Sequence, residues 1–180
     1  MHCLTGGGLD FAALMASRPL DAVRAVIYVP EVELKDYLTL IDHPGISQEL
    51  LDLVTELSQL TYLRYNLDIS RRVLSGIGIE CFLKDRKKAH RSKWERFLEY
   101  LAGRSLCIPG KKKALMDWLG HAYVALPQDT EPYYIFRRID HMKVAYEKGK
   151  PLQAKAYPEF FRITEMDLMI DRIAESCRAK

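Results

Sequence analysis

Two periodicities within one short chain constrain its fold most. Val23 to Val29 is a β-branched run stopped by Pro30, and Tyr133 to Ile139 is a second run of aromatic and branched residues. Both have the length and composition of strands. Between them Ser47 can cap a window from Gln48 to about Leu63. Its apolar residues Leu50, Val54, Leu57 and Leu60, with Leu53 beside them, recur at the helical period. A chain holding both patterns must cover a sheet with helices, so the expected class is α+β: a small mixed sheet packed with helices. With 180 residues, a single domain spanning 1–180 is expected, residues 1–8 forming a flexible tail around Gly6-Gly7-Gly8.

The remaining elements follow the same signals. Leu9 to Ser17 reads as a short helix, and residues 68–74 as a continuation of helix that Gly76-Ile-Gly78 breaks. Ile77 to Leu83 reads as a strand. Ser92 to Ala102 puts Trp94, Phe97, Leu98 and Leu101 on one helical face, ended by Gly103. Leu106 to Ile108 is strand-like, Lys111 to Leu119 helical, and Tyr123 to Leu126 a further strand. Leu152 to Ile163 holds an extended segment interrupted by Pro158. Thr164-Glu-Met-Asp167 is a capping box for a last helix. Leu34 to Ile41 and His141 to Glu147 point to no single element.

Composition narrows the function classes. An apolar share of 48% and a charged share of 28% are ordinary for a globular protein. No apolar run approaches the roughly 18 residues that span a bilayer, and the first residues lack a basic leader, so no membrane insertion and a cytoplasmic location are expected. Cys3, Cys81, Cys107 and Cys177 are far apart, which fits buried structural thiols in a reducing compartment. His43, His90 and His121 show no metal-ligand spacing, so no metal site is expected from histidines. Divalent metal through Asp85, Asp117, Asp129 or Glu131 stays open, with Mg2+ the natural choice beside phosphate.

Three stretches can carry chemistry. The first is Pro109-Gly110-Lys111-Lys112-Lys113 ahead of a helical pattern. A lysine is unfavourable in a first helical turn, and a bound anion relieves that strain while accepting from free N–H groups. The pattern is not a Walker motif. The competing reading is a water-screened turn. The second is the block from Lys84 to Arg96, where Lys84, Arg86, Lys87, Lys88, Arg91 and Lys93 would meet a nucleic-acid backbone. A solvated helix face is the plain alternative. The third is Arg137-Arg138-Ile139-Asp140-His141 at a strand end, able to bind phosphate and move a proton, or simply to form a surface ion pair.

The order of a strand, a glycine, basic residues opening a helix, and then Val124-Ala125-Leu126-Pro127 resembles the core of the ParB/sulfiredoxin superfamily. In size and motif it looks most like the plasmid fertility-inhibition (Osa-like) factors. The resemblance implies a protein that binds nucleotide or DNA phosphate and blocks conjugative DNA transfer. It also implies ATPase and DNase activity, with ATP as substrate and a conjugation or secretion-system protein as partner. Gly110 to Lys113 would be its phosphate-contacting turn. Lys111 stands where sulfiredoxins carry the reactive cysteine, so peroxiredoxin repair is not implied. Lys112-Lys113 replaces an arginine-type pair, which exchanges bidentate forks for point charges. The acidic residue that ParB proteins place after the glycine is missing. The alternative class is a non-enzymatic protein that docks on a partner through its charged helices.

Overall fold

The computed structural model describes residues 8–14, 22–83, 91–125, 127 and 132–164. In chain order the elements are β1 (Gly8–Leu14), β2 (Val23–Tyr28), α1 (Leu34–Leu40), α2 (Gln48–Leu60), β3 (Tyr62–Ile69) and β4 (Val73–Phe82). Then come α3 (Arg91–Gly103), α4 (Pro109–Trp118), β5 (Gly120–Val124), β6 (Tyr133–Tyr146) and β7 (Gln153–Thr164). The seven strands form one sheet in the order β1-β2-β3-β4-β6, with β5 and β7 also paired to β6. The α+β class holds. Every pairing is antiparallel, where a mixed sheet was expected.

Alternation along the strands separates two faces. Ala25, Ile27, Leu63, Tyr65, Leu67, Ile77, Ile79, Cys81, Met142 and Val144 turn to one side, in a single cluster with buried residues of all four helices. Ser47 caps α2 as its sequence predicts, its Oγ accepting from the Leu50 N–H at 3.1 Å. Leu50, Leu53, Val54 and Leu57 then point to the sheet. In α3, Trp94, Phe97, Leu98 and Leu101 do the same.

β6 organises one end of the sheet. Its Tyr133–Arg137 half pairs with β5, its Cys81-facing half with β4, and nearly its whole length with β7. Ile139 opposes Pro158 while His141 opposes Tyr157, so Asp140 is a one-residue bulge. Pro158 is tolerated because β7 pairs with β6 alone among the described strands.

Four local expectations are corrected. Over its described residues the expected Leu9–Ser17 helix is a strand: Gly8–Leu14 pairs with β2, and Gly8 belongs to it rather than to a tail, while residues 15–17 lie outside the described residues. The α2 helix stops at Leu60, because the Thr61 N–H and Oγ1 both turn back to the Leu57 carbonyl, at 3.0 and 2.9 Å. Residues 68–74 are the end of β3, a turn and the start of β4. The alternation Leu63, Tyr65, Leu67 against Arg64, Asn66, Asp68 is the strand signal there. Leu106 to Ile108 is not a strand. It is the turn that closes α3, with the Leu106 N–H on the Leu101 carbonyl at 2.8 Å and Ser105 at φ 59. The tail of residues 1–7 and the capping box with its helix after Thr164 lie outside the described residues.

Candidate functional site

The face of the sheet opposite the described helices carries polar side chains in register. Arg24 stands opposite Asp68, Val26 opposite Asn66, Asn66 opposite Gly78, and Glu80 opposite both Arg64 and Lys143. Arg24 grips Asp68 with two guanidinium N–H donors, at 2.8 and 3.0 Å, in a fork that lysine could not make. Beside this row runs a ladder of rings. Tyr28 stacks on Tyr62 at 5.2 Å, Phe82 lies 4.9 Å from His141, and His141 stacks on Tyr157 at 4.3 Å.

A cavity of about 650 Å³ opens on this face, with Arg24, Asn66, Asp68, Gly76, Gly78 and Lys143 on its floor and walls. This is the size range of small-molecule sites. One rim is the β3–β4 hairpin with Arg72, and the other is Lys150 with Pro151 after β6. Asp42 and Pro44 close a third side. Lys143 reaches the cavity because Gly78 has no side chain: a Cβ there would lie 2.2 Å from the Lys143 Cε. A Cβ at Gly76 would meet only Glu147 Oε2, at 4.0 Å. Two of the acids are already engaged. Asp68 holds Arg24, and Glu147 accepts from Lys150 at 2.9 Å and from Ser75 at 3.2 Å. The Lys150 bond holds the Glu147 carboxyl below the usual carboxylate range. Asn66 is 4% exposed, and its Nδ2 has no hydrogen-bond partner. A buried amide donor left this way is costly, by about 1–3 kcal/mol.

The wall at Asp42 and Pro44 is set by His43. This ring is buried, and its Nδ1 accepts the Gly45 N–H at 3.0 Å, which requires the neutral tautomer protonated at Nε2. Burial lowers its pKa below the ordinary histidine value. The folded state therefore resists a proton that the unfolded chain accepts near pH 6.5. Stability is fully present above that pH and is lost as pH falls through it. We expect a His43→Gln variant to lose less stability than wild type between pH 7 and pH 5, measured by urea unfolding at each pH. Equal losses would show that His43 is not the titrating group.

The residues predicted from sequence fall elsewhere. Gly110 to Lys113 form the first turn of α4, preceded by a turn instead of the expected strand. A Cβ on Gly110 would touch nothing within 4 Å, so no close backbone approach depends on it. Lys112 pairs with Glu99 at 3.1 Å and Lys113 with Asp117 at 2.5 Å, and the latter bond lowers the Asp117 pKa. Both pairs relieve the charge that the sequence reading assigned to a bound anion. Arg91 and Lys93 are exposed at the start of α3, while Lys84, Arg86, Lys87 and Lys88 lie outside the described residues.

The Arg137 to His141 cluster divides. Asp140 Oδ2 lies 2.8 Å from His141 Nδ1 and Glu80 Oε1 4.0 Å from its Nε2, so the expected Asp–His pair forms. Arg138 bonds Glu159 at 2.6 Å on the same face, whereas Arg137 turns to the Trp118 ring, 5.6 Å away. Neighbours on a strand point to opposite sides, so the two arginines cannot act together.

The acids of α2 are partly spent within the chain. Glu56 accepts from Tyr100 at 2.8 Å and from Arg104, which lowers its pKa. Cys81 and Cys107 are buried free thiols, and burial pushes the Cys81 pKa up to about 12. Among the described residues no group of three or more His, Cys, Asp or Glu is arranged to hold a metal, and of the four acids named as metal candidates Asp85, Asp129 and Glu131 lie outside the described residues. Among them too, no helix is long and apolar enough to cross a membrane. Asn66, Gly78 and Lys143 were missed. Gly76-Ile-Gly78 was the available signal, since glycines inside a strand mark close approach of another group. No family model matches the chain, and no curated protein or solved structure matches it.

Proposed function

We propose that the protein binds a phosphate-bearing ligand, of the nucleotide or nucleic-acid class, in the cavity on the sheet face opposite the described helices. The observation that carries this reading is the buried Asn66 amide with an unpartnered donor, beside Arg24 and Lys143. An oxyanion would supply the missing acceptor and draw on Lys143, while Arg24 keeps its fork on Asp68. Gly78 gives the Lys143 side chain its room over the sheet, and beside it a Cβ at Gly76 would meet only Glu147 Oε2 at 4.0 Å.

A block on conjugative DNA transfer, and any ATPase or DNase activity, rest on the ParB/sulfiredoxin-like resemblance, and the cavity adds only the phosphate contact they need. Calorimetric titration with ATP tests the binding. Lys143→Met combined with Arg72→Ala should weaken it about tenfold or more, as expected for losing charge-assisted bonds. Lys112→Ala combined with Lys113→Ala should leave it within about twofold. The reverse pattern would place the site on α4, and no binding by wild type would remove the proposal.

A further inference from the structure

We infer that the cavity recognises its ligand through phosphate oxygens alone and takes no part of an aromatic base. The ligand class is therefore a compact molecule carrying two or more phosphate groups on a non-aromatic frame, or the phosphates of a nucleotide whose base stays in water. This rests on the phosphate reading above and narrows it.

The first argument is the lining. Tyr146 is the sole aromatic residue among the described residues that line the cavity. It is 2% exposed, and its hydroxyl is held 2.6 Å from Ser47 Oγ. Its ring is core and its polar end is occupied, so it offers no face for a base to stack on.

The second argument is the neighbouring ladder. Tyr62, Phe82, His141 and Tyr157 lie on the same sheet face, yet none lines the cavity. They stand against one another, with centroids 6.4, 4.9 and 4.3 Å apart in that order. The His141 and Tyr157 planes differ by 14°, so each covers the other's face. Base recognition at the cavity needs ring faces turned into it, and none of these rings, the exposed Tyr157 included, is among its lining.

The third argument is where the cations sit. Arg24, held by Asp68, and Lys143 are on the floor, Arg72 is on the hairpin rim, and Lys150, held by Glu147, is on the opposite rim. The lining also carries Asp42, Asp68 and Glu147, so two phosphate groups would be met chiefly by Lys143 on the floor and Arg72 on the rim.

Calorimetry with tripolyphosphate, a sugar bisphosphate, ATP and adenosine at one ionic strength tests this. Tripolyphosphate and ATP should bind within about threefold of each other, the sugar bisphosphate measurably, and adenosine not at all. Asn66→Ala should weaken tripolyphosphate and ATP by the same factor, about tenfold. Arg72→Ala, a change at an exposed residue, serves the same comparison should Asn66→Ala fail to fold. ATP binding about thirtyfold or more tighter than tripolyphosphate, or measurable adenosine binding, would overturn the inference and leave the phosphate site standing. Absence of binding by every phosphate compound would instead sink the underlying reading.

Discussion

Phe97→Ala is expected to cost about 3–5 kcal/mol of folding stability. Phe97 is 1% exposed at the centre of α3. Its ring meets Trp94 edge-on at 6.0 Å and stacks with Tyr100 at 6.2 Å. Truncation leaves a void between helix and sheet, and the flanking rings cannot collapse into it without leaving their own contacts. Since small domains hold only about 5–15 kcal/mol in all, this change removes a large share of it. Urea unfolding monitored by tryptophan fluorescence measures the loss. A cost below about 1 kcal/mol would mean that α3 does not pack on the sheet as described.

Gly45→Ala is the second large effect, and it acts on the cavity as well. A Cβ at Gly45 would lie 2.4 Å from the Ser75 carbonyl oxygen and 2.9 Å from His43 Cε1. The first of these is backbone, which cannot rotate aside. The turn from Asp42 to Gly45 must therefore lift away from β4, and the His43 ring must move off the new Cβ, which strains the bond that its Nδ1 accepts from the Gly45 N–H. Overpacking of this kind costs about 1–3 kcal/mol, and a backbone clash belongs at the upper end. Gly103→Ala is the control: nothing lies within 4 Å, so alanine at the end of α3 should be neutral or mildly stabilising. Thermal melts of the two variants should differ clearly. Equal melting temperatures would show that the contact with Ser75 is not tight. Because Asp42 and Pro44 wall the cavity, Gly45→Ala should also weaken phosphate binding.

Much of the fold can be read from local pattern. The Ser47 cap, the α3 stripe of Trp94, Phe97, Leu98 and Leu101, and the Val23 and Tyr133 runs all fall where periodicity puts them. The errors cluster where two patterns compete over a few residues. Leu60 to Leu63 continues the apolar spacing of α2, but Tyr62 already belongs to the alternation of β3, and pairing with β2 and β4 decides it. Ile108 looks like a strand end because it is branched and precedes Pro-Gly. In fact it is the N-cap residue of α4, with Pro109 in the first helical turn.

The site was legible only in fragments, for a different reason. Asn66, Gly78 and Lys143 become neighbours through strand registers, and no local signal encodes a register. Asp140 and His141 are adjacent in sequence, so their hydrogen bond was within reach of sequence reasoning. The divergence of Arg137 and Arg138 follows from strand alternation once the strand is known. For Lys112 and Lys113 of α4 the sequence hides the partners Glu99 and Asp117, which are supplied by the packing of α3 against α4 and by the following helical turn.

The bulge at Asp140 acts as a phase shift in a two-state code. Before it, the even-numbered Phe136 and Arg138 meet Phe161 and Glu159 on one face; after it, the odd-numbered His141 meets Tyr157 on that same face. One strand can thus serve β5 and β4 in turn while keeping polar and aromatic groups on one side and Ile139, Met142 and Val144 on the other. Removing that single residue would put the two halves of β6 out of step. Either the Phe136 end or the Lys143 end would then present its outward set to the core. Insertions and deletions are ordinarily tolerated in loops, but here the length of a strand interior is as strictly defined as a reading frame.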